Sequence, residues 1–100
     1  MQYATQVAMR TPQKHLQELV RLLASRSPQD IEALLEDLLT PQELSSVAER
    51  FQILQALVRG IPQREIAENL HTSIGKITRG SRVVQYGKLD WEKLVAETKK

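Results

Sequence analysis

Apolar residues recur along this chain at three- and four-residue intervals, the period of an amphipathic helix. Leu16, Leu19, Val20, Leu22 and Leu23 follow Thr11-Pro12. Ile31, Leu34, Leu35, Leu38 and Leu39 follow Ser27-Pro28. Leu44, Val47, Phe51, Leu54, Leu57 and Val58 follow Thr40-Pro41. Each segment opens on a hydroxyl residue and a proline, which predicts a side-chain cap with proline at the first helical position. Glu43, three residues after Thr40, completes a capping-box pattern. Gly60 is placed to end the third helix in a left-handed conformation. Pro62 opens a short helix with Ile66 and Leu70 inward, and residues 71–73 read as a tight turn. Ser73 caps a helix carrying Ile74, Ile77, Val83 and Val84, with Gly80 as a weak spot and Gly87 at its close. Asp90 caps a last helix with Trp91, Leu94 and Val95. No alternation is long enough for a strand. The pattern therefore predicts an all-α fold of about six helices, a single helical domain over 11–100, and a flexible N-terminal arm over 1–10, where periodicity is lacking.

The doublets Leu22-Leu23, Leu34-Leu35, Leu38-Leu39 and Val83-Val84 put apolar groups on more than one helix face. They either widen a core stripe or cover a second chain, and the expectation here is a homodimer. With 100 residues, 41% hydrophobic and 26% charged, the chain has the make-up of one folded domain and not of a disordered segment. The absence of cysteine removes disulfides, thiol catalysis and cysteine-ligated zinc. His15 and His71 have no metal-ligand spacing. No apolar run approaches the ~20 residues of a membrane span, and Met1 to Arg10 has no signal-peptide core. An intracellular, cytoplasmic protein without metal is expected.

The net charge of +2 conceals a division. From Ser27 to Glu49 there are six acids (Asp30, Glu32, Glu36, Asp37, Glu43 and Glu49) and no Lys or Arg. From His71 to Leu89 there are four bases (Lys76, Arg79, Arg82 and Lys88) and no acid. A basic segment of this kind is either a solvated helix face or a phosphate-binding surface.

The stretch from Gln63 to Ser81 favours the second. Two short helices that cross steeply need a small residue where they meet, and Ala67 supplies it. Ile66, Leu70 and Ile77 supply the packing. His71 stands at the turn, where positive φ is tolerated by few non-glycine residues. The second helix then presents Ile74, Gly75, Lys76 and Thr78 outward. This is the chemistry of a helix-turn-helix over about 63–85, whose second helix enters the major groove. Gln63 and Arg64 are placed for phosphate contacts at the positive end of the first helix. Arg64, Lys76, Arg82 and Lys88 would give weak, salt-sensitive DNA binding even without a ligand.

From about Leu38 to Ser81 the sequence also resembles the bacterial Trp repressor family. The resemblance is carried by Leu39-Thr40-Pro41, Arg50 within a long helix, Leu57-Val58-Arg59-Gly60, Gln63-Arg64-Glu65, and above all Ile77-Thr78-Arg79-Gly80-Ser81. It implies an intertwined homodimer that represses transcription by binding near-palindromic operator DNA when L-tryptophan, the corepressor, is bound. Carried over residue by residue, Arg50 and Arg79 would sandwich the indole, since guanidinium planes stack on aromatic faces. Arg79 and the Thr40 hydroxyl would take the carboxylate. Backbone carbonyls near Asp37 to Leu39 would take the amino group, and Gly80 would leave room for the ring edge. Two positions depart from the family. Val83 stands where a hydroxyl residue is frequent, and Lys76 replaces a smaller polar residue. The turn before Gln63 is one residue shorter than the family pattern. These departures keep open a helix-turn-helix regulator that answers another small ligand, or none.

Plainer roles suit several residues. His71 is a turn residue, His15 faces solvent, Trp91 packs in the core or a dimer interface, and Lys99-Lys100 is a solvated tail. Without the Thr-Arg-Gly-Ser motif, Arg50 reads first as a rim residue paired with Glu49 or an acid of the 27–49 window. Glu32, Glu36 and Asp37 share a helix with no partner His or nucleophile, so they form a solvated face and an enzyme is not expected.

Overall fold

The computed structural model describes residues 12–98, which form six helices: α1 (Gln13–Ala24), α2 (Pro28–Leu38), α3 (Pro41–Val58), α4 (Gln63–Leu70), α5 (Ile74–Tyr86) and α6 (Trp91–Thr98). The arm expected over 1–10, Thr11 and the Lys99-Lys100 tail lie outside the described residues. The helices divide into two compact units, one ending at Thr40 and the other beginning at Pro41.

Most boundaries have a visible cause. Ser27 Oγ accepts from Asp30 N–H at 3.1 Å and Pro28 occupies the first helical position of α2. Asp90 Oδ1 accepts from Lys93 N–H at 3.2 Å at the start of α6. Gly60 has φ +82, and its N–H and that of Ile61 donate to Leu57 O and Ala56 O, the paired bonds of a left-handed helix ending. At α1 the expectation shifts by one residue. Pro12 is itself the N-cap, with extended ψ and no side-chain cap bond, so proline precedes the first turn there instead of opening it.

In the first unit no residue of α1 or α2 is buried. Leu16, Val20, Leu22 and Leu38 are 42–55% exposed. The apolar stripes that predicted these helices are real, but within one chain they are only half-buried, at Leu19, Leu23, Ile31, Leu34 and Leu35, or exposed.

The second unit has a core. Ile53 of α3, Ile66 of α4 and Ile77 of α5 meet with at most 2% exposure, surrounded by Ala56, Leu57, Ile61, Ala67 and Leu70. Leu54 of α3 and Val95 of α6 are buried as well. This corrects the stripe on α3. The spacing predicts Val47 and Phe51 inward, yet they are 45% and 37% exposed, and Ile53, absent from that stripe, is buried. The reason is that α3 carries two apolar faces. One, through Ile53, Leu54 and Leu57, receives α5. The other, through Val47 and Phe51, is uncovered.

Gly80 sits where α5 crosses α3. A Cβ there would lie 2.8 Å from Ile53 Cγ2 and 3.3 Å from Leu57 Cδ1. The glycine expected to leave room for a ring edge is thus first needed for helix packing. Gly80→Ala is expected to cost about 1–3 kcal/mol through overpacking, offset by roughly 1 kcal/mol of helix propensity. A lowered urea midpoint checks this, and an unchanged one would show that Ile53 yields freely.

Candidate ligand pocket and nucleic-acid interface

The turn between α4 and α5 is built as the sequence requires. His71 has φ 54 and ψ 48, and its N–H and that of Thr72 both donate to Ala67 O. Ser73 Oγ accepts from Lys76 N–H at 3.2 Å and so starts α5. Ala67 is half-buried against the Ile53, Ile66 and Ile77 cluster. The two helices are fixed from beneath, and their outer faces are open. Gln63, Arg64, Ile74, Gly75, Lys76, Thr78 and Arg82 are all exposed. Gly75, Thr78, Arg79 and Arg82 run along one side of α5 and, with Val83, Tyr86 and Gly87, line a shallow open groove. Tyr86 is 78% exposed.

A second concavity lies between α3 and α5. It has a volume of about 240 Å³ and is lined by Ser46, Glu49, Arg50, Ile53 and Leu54 from α3 and by Lys76, Arg79, Gly80 and Val83 from α5. The size suits a molecule no larger than an amino acid. Its floor is apolar and three cations surround it. Among the described residues the side chain of neither Arg50 nor Arg79 makes an ion pair or hydrogen bond. Two arginines with unpaired side chains, one from each helix, therefore line a single cavity, an arrangement that suits a flat aromatic body bearing an anion. Arg50 is not the partner of Glu49. That carboxylate is taken by Lys76, with Nζ 3.3 Å from Oε1.

A model of the family described as "Trp repressor protein" matches residues 14–99. The chain belongs to the Trp repressor family. Proteins named Trp operon repressor homolog are similar to it: one from Pasteurella multocida (strain Pm70) is 53% identical over 49 residues, 48% of each chain. One from Mannheimia succiniciproducens is 51% identical over 53 residues, 52% of each chain. One from Vibrio campbellii is 41% identical over 70 residues, 68% of this chain and 70% of its own. The first of these alignments thus span about half the length of the relatives concerned. No solved structure matches the chain.

Of the positions that the family resemblance assigns to the ligand, Arg50, Arg79, Gly80 and Val83 come together on the cavity between α3 and α5. Leu39 and Thr40 end the first unit, Leu39 as the extended C-cap of α2, and the cavity lining comes wholly from the second unit. Ser46, Glu49, Ile53 and Leu54 were not singled out from the sequence as site residues. A signal exists for three of them, because Ser46, Glu49, Arg50 and Ile53 stand at i, i+3, i+4 and i+7, one side of a helix centred on the candidate arginine. Among the described residues no helix is long and apolar enough to cross a membrane, and no cluster of acids and histidines has the make-up of a metal site.

Proposed function

We propose that this protein is a homodimeric, ligand-gated DNA-binding repressor for which L-tryptophan acts as corepressor. The observation that supports this most is the pair of unpaired arginines, Arg50 and Arg79, lining one cavity directly behind the exposed α5. Arg50 and Arg79 stack on the indole, and Arg79 takes the carboxylate. Gln63 and Arg64 brace on phosphates while Ile74, Gly75, Lys76, Thr78 and Arg82 face the major groove. A ligand between α3 and α5 stabilises one placement of α5, and in a dimer that placement sets the spacing of two reading heads on a near-palindromic site. The open apolar faces of α1, α2 and α3 supply the surface that a second copy would cover. The reaction is binding alone, in the cell interior, with no catalysis and no metal.

A gel shift on the gene's own upstream region, with and without L-tryptophan, tests the reading. Tryptophan is expected to tighten binding. The double variant Arg64→Ala, Lys76→Ala is expected to weaken it, and to make the slope of log affinity against log salt shallower by about 0.9 for each phosphate no longer neutralised. A double variant that binds as well as the native chain at moderate salt would remove the nucleic-acid role. Val83, which offers the cavity no hydroxyl, favours a second reading in which a related indole acid is the effector. That reading predicts no calorimetric heat with L-tryptophan but a response to the other acid.

A further inference from the structure

The cavity lining contains one carboxylate among three cations, and that carboxylate is already engaged. Glu49 and Lys76 form an ion pair across the mouth from α3 to α5. Their side chains are 26% and 61% exposed, so the bond is weakly held, in the range of surface pairs. Lys76 is the third residue of α5. Its backbone N–H is fixed by Ser73, and its flexible four-carbon side chain is 61% exposed at the cavity. Val83, on the same cavity, has no polar atom to offer an amino group.

We infer that Glu49 is the acceptor for a cationic amino group on the ligand, which takes the place of Lys76 and releases Lys76 toward nucleic-acid phosphate. This rests on the ligand-gated reading above and assigns to Glu49 the discrimination between amino acids and simple acids. The exchange is ammonium for ammonium at one carboxylate, so the charge beside Glu49 is kept, while the ligand carboxylate goes to the arginines. A zwitterionic ligand adds no net charge, yet the outer face of α5 gains one positive charge per chain. An acid without the amino group binds the arginines but leaves Lys76 on Glu49, and the outer face gains nothing.

The test is calorimetry with L-tryptophan and with indole-3-propionate, the same skeleton without the amino group, on the native chain, Glu49→Gln and Lys76→Met. The native chain is expected to prefer tryptophan, and Glu49→Gln to shrink that preference about tenfold while leaving indole-3-propionate affinity unchanged. Lys76→Met, which removes the competing ammonium, is expected to bind tryptophan more tightly than the native chain. On DNA, tryptophan should steepen the salt slope of the native protein by about 0.9 per chain, and that of Glu49→Gln not at all. Glu49→Gln that keeps the native preference, or that weakens both compounds equally as a structural role would, overturns the assignment. A native chain that binds neither compound overturns the ligand reading itself, and this assignment with it.

Discussion

Arg79→Ala is expected to lower L-tryptophan affinity about a hundredfold and to leave DNA binding insensitive to the ligand. Arg79 reaches the cavity from α5 with no ionic partner of its own. A ligand carboxylate therefore displaces no protein partner from Arg79. A charge-assisted hydrogen bond to a carboxylate contributes about 1.5–3 kcal/mol, and a guanidinium over an indole face about 0.5–2 kcal/mol. Their sum is near the 2.8 kcal/mol that corresponds to a hundredfold change, at roughly 1.4 kcal/mol per tenfold. Arg79→Lys separates the two contributions. It keeps the charge and loses the planar fork, so it is expected to recover only part of the affinity. Calorimetry reads the affinity and a gel shift reads the coupling. An Arg79→Ala protein that still binds tryptophan within a few-fold of the native chain would place the ligand elsewhere.

The largest loss of stability is expected from Ile77→Ala. Ile77 has 0% exposure and joins Ile53 and Ile66, so one side chain ties α5 to both α3 and α4. Truncating such an isoleucine costs about 2–5 kcal/mol, the removed burial plus the cavity left behind. Whole domains have only about 5–15 kcal/mol to lose. Urea unfolding at fixed protein concentration measures it, with Ile77→Val as a graded control at about 1 kcal/mol. A loss below about 1 kcal/mol for the alanine variant would show that the three-isoleucine cluster is not what holds α5 in place. The same substitution should weaken DNA binding even with tryptophan present, because α5 is then no longer held at a fixed angle.

The second unit was largely legible in the sequence, because local chemistry determines it. Ser73, His71, Gly60 and Asp90 each act on backbone within five residues, and each takes the conformation its type favours. The helix-turn-helix core was legible for a related reason: Ile66, Ala67, Leu70 and Ile77 lie within twelve residues and face each other through one turn. What escaped was anything decided by a distant partner. Ile53 is buried only because α5 lies against it, and nothing near it in sequence says so. Val47 and Phe51 have the right period for burial and remain open, since periodicity shows that a face is apolar without showing what covers it. The Glu49–Lys76 pair joins residues 27 apart, and Glu49 looked like one more acid in an acidic stretch. Gly80 was conspicuous in the sequence, but its reason, an Ile53 methyl group at 2.8 Å from the absent Cβ, needs the crossing of two helices.

Arg79 and Val83 line both the cavity between α3 and α5 and the open groove on the outer side of α5. Two consecutive turns of one helix thus serve two surfaces at once. Under the proposed function, a substitution there that retunes the effector also reshapes the wall presented to the double helix, and one that alters operator preference disturbs the cavity. Chemical input and genomic address would then be inherited together at these positions. Under the proposed function, a lineage that changes its effector would then compensate at residues such as Ser46, which lines the cavity and not the groove.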